Sequence, residues 1–193
     1  ADIGGVWTIA GTPANFSVGA GVARIAMTAP GSSAAASVAG ASTDTEVRFT
    51  VGIDRLVTGG SFFSSAVGRR VGTSEYRAKL RILTTGATEL SIVRTANGAE
   101  TTIVTTVLNG LTVAPGERLQ IRFQATGTNP TTLRAKVWRV GVVEPADWQL
   151  TATDATAALQ AAGGAGLWVY LSSAAANAPV VATFDDFWAG TTG

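Results

Sequence analysis

Charged and aromatic side chains alternate with small apolar ones in the segment Leu133 to Trp148, LRAKVWRVGVVEPADW. Alternate residues of a β-strand face opposite sides of the sheet, so Arg134, Lys136 and Trp138 share one side. An indole on that polar side is unfavourable unless a ligand stacks on it or another part of the chain covers it. The pattern therefore indicates either a binding surface or a covered one.

A second alternating segment, Leu119 to Ala125, would widen this polar surface if the two segments pair as a hairpin. Its outer side carries one arginine between two glutamines. Sugar rings have apolar C–H faces that stack on an indole, and their hydroxyl groups form hydrogen bonds with such polar side chains. The predicted ligand-binding residues are therefore Trp138, Arg134, Lys136, Arg122, Gln120 and Gln124.

The same residues have a simpler interpretation. They could be solvated residues on the outside of a sheet, with Trp138 covered by a loop. If they do bind a ligand, Arg77, Lys79 and Arg81 of a third alternating segment could extend the surface.

The other four tryptophans are predicted to be structural. Trp7, Trp168 and Trp188 lie in apolar strand patterns near the two ends of the chain, which is typical of core residues. Trp148 follows a proline turn, and we expect it to pack a loop onto the sandwich.

The charge balance narrows the class of ligand. Lysine and arginine number 14, aspartate and glutamate 13, and the formal net charge is +1. Binding to nucleic acid or to an anionic membrane depends on excess positive charge, so neither partner is expected. The expected ligand is close to neutral.

No apolar run approaches the length of about 18 residues that a membrane span requires. The first residues also lack the basic and apolar regions of a signal peptide.

Short alternating segments separated by turns predict an all-β fold. Alternation is clearest from Glu46 to Asp54, and Asn97-Gly98 between two such segments is a strong hairpin signal. The one helix candidate runs from Asp154 to Ala162, with Asp154 as its N-cap. We expect a single domain over residues 1–193, folded as an antiparallel two-sheet β-sandwich or jelly roll.

The ordered set of segments from about Thr43 to Phe187 resembles a known family. The segments are EVRFTV, VGRRVG, EYRAKLRIL, LSIVR, GERLQIRFQATGTNPTTLRAKVW, EPADWQLTATDATAALQAAGGAGLWVYLSS and NAPVVATFDDF. This order is similar to that of the concanavalin A-like, laminin G-like jelly-roll domains found in secreted actinobacterial multidomain proteins and in minor tail proteins of actinobacteriophages.

This resemblance implies two stacked sheets that bind glycans on a concave face or its edge loops. It also implies a structural Ca²⁺, often held by an aspartate of the last strand, which here is Asp185 or Asp186. A loop acid such as Asp2 and backbone carbonyls could complete the oxygen shell. The alternative is that these aspartates cap neighbouring backbone N–H groups.

Catalysis is restricted to carboxylates, because the chain has no histidine and no cysteine. Glycanases of the resembled fold carry an E-x-D-x-x-E or E-x-D-x-E strand. Asp44-Thr45-Glu46 is the nearest approach and lacks the third acid. Asp185 and Asp186 are adjacent and are expected to point to opposite faces of a strand. We therefore expect no enzyme.

The sequence thus predicts a non-catalytic, extracellular carbohydrate-binding or adhesion module of a larger protein. Its partners would be a polysaccharide or glycosylated surface and neighbouring domains, and it could form oligomers. The alternative is a structural or assembly module of a phage tail or bacterial surface protein that binds no sugar. A glycoside hydrolase fits less well, for want of a converging carboxylate pair.

Overall fold

Strands dominate the part of the chain that the structure, a computed structural model, describes, which is residues 6–192. The strands are β1 (Trp7–Ala10), β2 (Phe16–Gly19), β3 (Val22–Met27), β4 (Ser33–Ser42), β5 (Thr45–Ile53), β6 (Phe62–Val71), β7 (Ser74–Ile82), β8 (Ala87–Ala96), β9 (Ala99–Thr112), β10 (Arg118–Thr126), β11 (Thr131–Arg139), β12 (Leu150–Asp154), β13 (Gly163–Leu171) and β14 (Val180–Gly190). Two 3-10 helices, Pro13–Asn15 and Ala157–Leu159, complete the described elements. Neither is long or apolar enough to cross a membrane.

The strands form two seven-stranded sheets in which every pairing is antiparallel. Sheet A has the order β1-β4-β13-β6-β7-β8-β9, and sheet B has the order β12-β11-β10-β5-β14-β3-β2. The predicted all-β, two-sheet jelly-roll sandwich is confirmed. Chain neighbours such as β4 and β5 lie in different sheets, because the chain repeatedly crosses from one layer to the other.

Alternation along the strands builds the core between the sheets. On β5 the side chains of Val47, Phe49 and Val51 are buried, and the same holds for Leu80 and Ile82 on β7 of the opposite sheet. Each such side chain contributes roughly 1.5–3 kcal/mol when it leaves water. One face of each strand is therefore committed to the core, and only the other face is available for ligands.

The predicted hairpin of the two polar segments is confirmed. Strands β10 and β11 pair with Gln120 opposite Trp138, and with Arg122 opposite Lys136. On its other side Arg122 lies opposite Arg48 of β5. The predicted ligand-binding residues thus share the outer face of sheet B.

The proposed extension of that surface is wrong. Arg77, Lys79 and Arg81 lie on β7, which belongs to sheet A. The turn between β9 and β10 carries the chain from one sheet to the other. These three residues therefore lie on the opposite outer face of the sandwich.

The predicted α-helix from Asp154 to Ala162 is also wrong. The segment begins with the last residue of β12 and forms only the 3-10 turn Ala157–Leu159. The Asp154 carboxylate does accept the backbone N–H of Thr156 at 2.8 Å, as an N-cap would. Its other bonds reach across to sheet A, and Leu159 is fully buried. Tertiary contacts on both sides thus hold the segment in a tight turn.

A buried arginine ties together the loops at this end of the sandwich. Arg69 has a positive φ of 52° and no exposed surface. Its guanidinium donates to the carbonyl oxygens of Thr43, Ala125 and Leu159 and to the hydroxyl of Thr131. Burial lowers the pKa of Arg69 from its usual value, against the opposing effects of Tyr76 and Asp44. Carbonyl dipoles, rather than a bonded carboxylate, therefore solvate this cation.

Next to it, Tyr76 joins the two sheets through Asp154. The phenol donates to Asp154 Oδ1 at 2.8 Å and accepts from Gln160 Nε2 at 3.2 Å. Arg94 pairs with the second carboxylate oxygen. Burial and the hydrogen bond to Asp154 raise the pKa of Tyr76 to about 12. Burial acts to raise the pKa of the Asp154 carboxyl, but the hydrogen bonds from Thr156, Tyr76 and Arg94 have the larger combined effect. The pKa of Asp154 therefore lies below its usual value.

We expect Tyr76→Phe to lower the free energy of unfolding by about 1–3 kcal/mol, because Asp154 and Gln160 lose a buried hydrogen-bond partner. Urea denaturation measures this change. Tyr170→Phe is the control, since its hydroxyl makes no hydrogen bond within residues 6–192. Equal stabilities of Tyr76→Phe and the parent would show that the bond contributes nothing.

Asp154 should make stability depend on pH in the acid range. Its lowered pKa means that its contribution is present above its unfolded-state pKa of about 3.9 and is lost as pH falls through the folded-state pKa. The difference in unfolding free energy between the parent and Asp154→Asn should therefore shrink as the pH falls below about 4. Urea melts between pH 2 and 7 measure it, and a constant difference would contradict this assignment.

Candidate functional site

The carboxylate of Glu46, near the start of the middle strand β5, joins several polar side chains of sheet B. It accepts hydrogen bonds from Arg122 Nη2 at 2.8 Å and from Gln124 Nε2 at 2.6 Å, and it pairs with Arg48 Nε at 3.2 Å. Glu46 is itself buried. Two of the predicted ligand-binding side chains are therefore bonded within the sheet.

The loop of residues 140–149, here called the covering loop, lies over the same face. Glu144 Oε1 lies 2.7 Å from both Arg122 Nη1 and Lys136 Nζ, and Lys136 also donates to the carbonyl of Pro145 at 2.7 Å. The Trp148 ring centroid is 4.7 Å from Lys136 Nζ. The predicted role of Trp148, packing a loop onto the sandwich, matches this geometry. Lys136 is only 4% exposed as a result.

The charges beneath the covering loop stabilise one another. Burial acts to raise the pKa of the Glu144 carboxyl, but the hydrogen bonds from Lys136 and Arg122 have the larger effect. The pKa of Glu144 therefore lies below its usual value. Burial lowers the pKa of Arg122, and Glu46 and Glu144 more than compensate, so it lies above its usual value. These groups form a closed ion-pair network with few free donors.

Trp138 lies on the outer side of β11 but is only 7% exposed. The expectation of an indole open to a ligand is therefore corrected, and the covered interpretation describes its position. Arg134 is exposed, and Gln120 is half-buried. The sheet B set is brought together as predicted, mostly as an internally bonded layer, and its role in ligand binding stays a prediction.

The outer face of sheet A carries a row of partly exposed aromatic rings. Phe63 on β6 lies opposite Tyr170 on β13, with ring centroids 5.8 Å apart. Trp168 lies beside Tyr170 at 5.9 Å, with the two planes within 12° of each other. All three side chains are half-buried. The prediction that Trp168 is a core residue is wrong, because Val169 and its alternate neighbours fill the core instead.

A charged ladder on β7 runs alongside these rings. The Arg77 guanidinium lies 4.2 Å from the Trp168 ring centroid and pairs with Glu75. Glu100 on β9 bonds both Arg77, at 3.4 Å, and Lys79. The carboxylates hold the guanidinium against the indole, where cation–π attraction adds to the ion pairs.

A depression of about 230 Å³ opens beside Trp168. Small residues, including Ala10 and Ala35, form one side, and Arg70, Glu75 and Arg77 lie at the other. Arg70 Nε donates to the carbonyl of Gly72 at 3.4 Å and lies 3.8 Å from Glu75, so its two terminal nitrogens are the donors available to a ligand. Sites for drug-sized ligands span roughly 300–1,000 Å³, so this depression suits a smaller group such as one sugar ring.

The sequence pattern contained a signal for this face. In GLWVYL the two aromatic residues occupy alternate positions, as Trp168 and Tyr170, and so share one side of the strand. The flanking leucines and Val169 are equally apolar, so alternation alone could not tell which side faces the core.

Trp188 is another outward-facing residue that was predicted to be core. It is 40% exposed, and the Arg48 guanidinium lies 4.5 Å from its ring. A register shift between Asp185 and Trp188 displaces the end of β14, which simple alternation does not anticipate. Trp7 is half-buried and packs edge-on against Phe187.

The aspartates of β14 do not form a ready cation site. Asp185 accepts from Arg118 Nη1 at 3.0 Å and from the backbone N–H of Asp186 at 2.9 Å. Asp186 has a positive φ of 53° and lies at a register shift of β14, so simple alternation does not apply there, and both residues line one cavity. Asp2 lies outside the described residues. Within residues 6–192 no three acidic, histidine or cysteine side chains cluster as metal ligands would. A cation would have to displace Arg118, so these residues fit Ca²⁺ poorly, and Ca²⁺ stays a prediction.

The carboxylates considered for catalysis already form hydrogen bonds and ion pairs within the chain. Asp44 Oδ1 accepts from the backbone N–H of Gly127 at 2.9 Å, and Glu46 is enclosed by its three cationic and amide partners. On sheet A, Glu75 and Glu100 are separated by the guanidinium of Arg77. A glycosidase needs two carboxylates facing a shared substrate, and these carboxylates bond cations, an amide and a backbone N–H of the protein.

No known family profile matches the chain, and no match is found among curated proteins. Solved structures do match. The carbohydrate-binding module CBM66 from Bacillus subtilis has a TM-score of 0.64 and 16% identity, over 96% of this chain and 95% of that one. A Bacillus licheniformis beta-glucanase has a TM-score of 0.63 and 15% identity, over 97% and 92%. The CBM2 module of the evolved Dit of Lactobacillus casei BL23 phage J-1 has a TM-score of 0.57 and 10% identity, over 92% and 80%.

These neighbours are jelly-roll sandwiches of the concanavalin A-like type, as the sequence resemblance implied. Identities of 10–16% establish the fold alone. The similar structures include both a binding module and a hydrolase, so the function has to be argued from the surface of this chain.

We expect Glu144→Gln to loosen the covering loop, because Lys136 and Arg122 lose the carboxylate that joins them to it. Amide hydrogen exchange of residues 140–147 should accelerate by about tenfold, which corresponds to about 1.4 kcal/mol of local opening. Glu89→Gln, which removes an ion pair with Arg81 on sheet A, should leave these rates unchanged. Unaltered exchange in Glu144→Gln would show that apolar packing alone holds the loop.

Proposed function

We propose that this chain is a non-catalytic carbohydrate-binding module whose binding site is the outer face of sheet A. The site comprises the aromatic row of Phe63, Tyr170 and Trp168 and the adjoining depression with Arg70 and Glu75. The observation that carries the proposal is the partly exposed aromatic row beside Arg70, whose two terminal guanidinium nitrogens make no hydrogen bond within residues 6–192.

The chemistry of the site suits a sugar. The apolar C–H faces of a pyranose or furanose ring would stack on the open parts of Tyr170 and Phe63. In the depression, hydroxyl groups would accept from the terminal guanidinium nitrogens of Arg70, while the buried Glu75 holds Arg77 against Trp168. Because these groups are positioned before binding, little side-chain entropy is lost.

The outer face of sheet B is the less favourable site. Trp138 and Lys136 are buried there, and Arg122 is bonded to two carboxylates. A sugar on that face would have to displace the covering loop and break its ion pairs. Only Arg134 offers an exposed, uncommitted charge among the predicted cationic residues.

The setting of such a module would be extracellular, within a larger protein that adheres to a polysaccharide or a glycosylated surface. Support comes from the shared fold with a bacterial carbohydrate-binding module at a TM-score of 0.64. The module in a phage Dit is a second neighbour of the same kind. A virion tail is therefore the alternative setting, with an assembly role in place of sugar binding.

The proposal is tested by glycan-array binding and affinity electrophoresis of the parent and two variants. We expect Trp168→Ala to weaken retention by about tenfold or more, equivalent to about 1.4 kcal/mol or more, because the aromatic row and the seat of Arg77 are lost. Arg134→Ala on the exposed part of sheet B is the matched control and should bind as the parent does.

The outcomes separate the two faces and the two functions. Loss of binding in Arg134→Ala, with Trp168→Ala unaffected, would move the site to sheet B. Failure of the parent to bind any glycan would overturn carbohydrate binding and favour the assembly role. Circular dichroism of each variant confirms that a loss of binding is not a loss of fold.

A further inference from the structure

The four outermost strands of the two sheets differ greatly in length. Strands β1, β2 and β12 have 4, 4 and 5 residues, whereas β9 has 14. Within the described chain β9 pairs only with β8, so one side of its backbone has no strand partner. Natural sheets usually avoid a long open edge, because its N–H and C=O groups can pair with another chain.

Sequence features that normally protect such an edge are missing from β9. Residues 101–112, TTIVTTVLNGLT, contain no charged residue and no proline. Glu100, the only charge on β9, is bonded inward to Lys79 and Arg77. Val107 is 57% exposed on this strand. The edge is thus extended, uncharged and rich in β-branched residues, which favours strand pairing.

We propose that β9 pairs with β9 of a second copy of this chain, in an antiparallel arrangement about a two-fold axis near Thr105. Two-fold symmetry makes a strand meet its own copy antiparallel, which is also the pairing of every strand in the sandwich. The result is one continuous sheet of fourteen strands, with two copies of the seven-stranded sheet A.

The charge pattern favours a second copy over a different partner. A heterologous partner is commonly selected by complementary charges or side-chain pockets. The uncharged edge offers no such charges, and it sets no like charges against each other when it meets itself. Two register shifts interrupt the pairing with β8 and leave the regular stretch Val104–Val107 between them. The axis is therefore placed at this stretch.

The length of the edge is sufficient for an interface. Fourteen residues span about 45 Å. Antiparallel pairing of about ten of them forms about ten inter-chain backbone hydrogen bonds. This number matches that of a typical protein interface, about 10. The inference does not depend on sugar binding, because the aromatic row lies on β6 and β13, away from β9.

The experiment measures the oligomeric state of the intact chain by size-exclusion chromatography with light scattering, from about 1 μM to about 1 mM. We expect a dimer that dissociates on dilution. Thr105→Lys places two like charges next to the axis and should weaken dimerisation by at least about tenfold. Thr105 is exposed, and its hydroxyl bonds Ser91 and the carbonyl of Leu90 at 2.8 and 3.3 Å, so circular dichroism has to confirm that the variant keeps the fold. Thr153→Lys, an exposed threonine on the short edge strand β12, is the matched control and should leave the dimer intact.

Hydrogen exchange of the β9 amides provides a second readout. In the dimer we expect slow exchange for those amides of Val104–Val107 that point away from β8, accelerating on dilution and in Thr105→Lys. A monomer at every concentration overturns the proposal, whether or not those amides are protected by another segment. A dimer that Thr105→Lys leaves unaffected overturns it as well.

Discussion

Both sheets share a single apolar layer, and the rest of the structure depends on this constraint. Each strand must turn one side inward to bury residues such as Phe49 and Leu80. Polar and aromatic chemistry is thereby confined to two outer faces and to the edges and ends of the sheets. Either outer face could bind a ligand as far as the sandwich architecture is concerned. The side chains on each face, and the loops over it, decide which one is accessible.

The outer face of sheet B is closed by local interactions. Its charges are balanced within the chain around Glu46 and Glu144, and the covering loop adds Trp148 above them. Such a network stabilises the loop by satisfying buried polar groups, because each group would be costly if left unpaired. The outer face of sheet A has a comparable number of charges, but its ion pairs run along β7, β8 and β9. The cations of β7 lie over the rings of Trp168 and Phe63, so the aromatic row on β6 and β13 is only partly exposed.

The ends of the sandwich and the edges of its sheets have different properties. Arg69, Tyr76 and Asp154 close one end of the sandwich with buried hydrogen bonds that span both sheets. Three of the four edge strands are short, which limits pairing with other chains. Strand β9 departs from this rule over its whole length. The proposed binding face and the long edge belong to the same sheet but to different strands, so the two proposals are independent of each other.

The sequence by itself determined the fold class, because alternation and turn residues are local properties. The pattern from Glu46 to Asp54 predicted β5 to within one residue at each end, and Asn97-Gly98 marked the β8–β9 hairpin. Pairing of β10 with β11 followed from their adjacency in the chain.

The tertiary structure alone decided which outer face is accessible. Trp138 and Trp168 both alternate with apolar residues, and neither pattern shows that Trp138 would be only 7% exposed on a face closed by a loop while Trp168 stays partly exposed. Burial depends on segments that are distant in sequence, and so does the assignment of β7 to the sheet opposite β10.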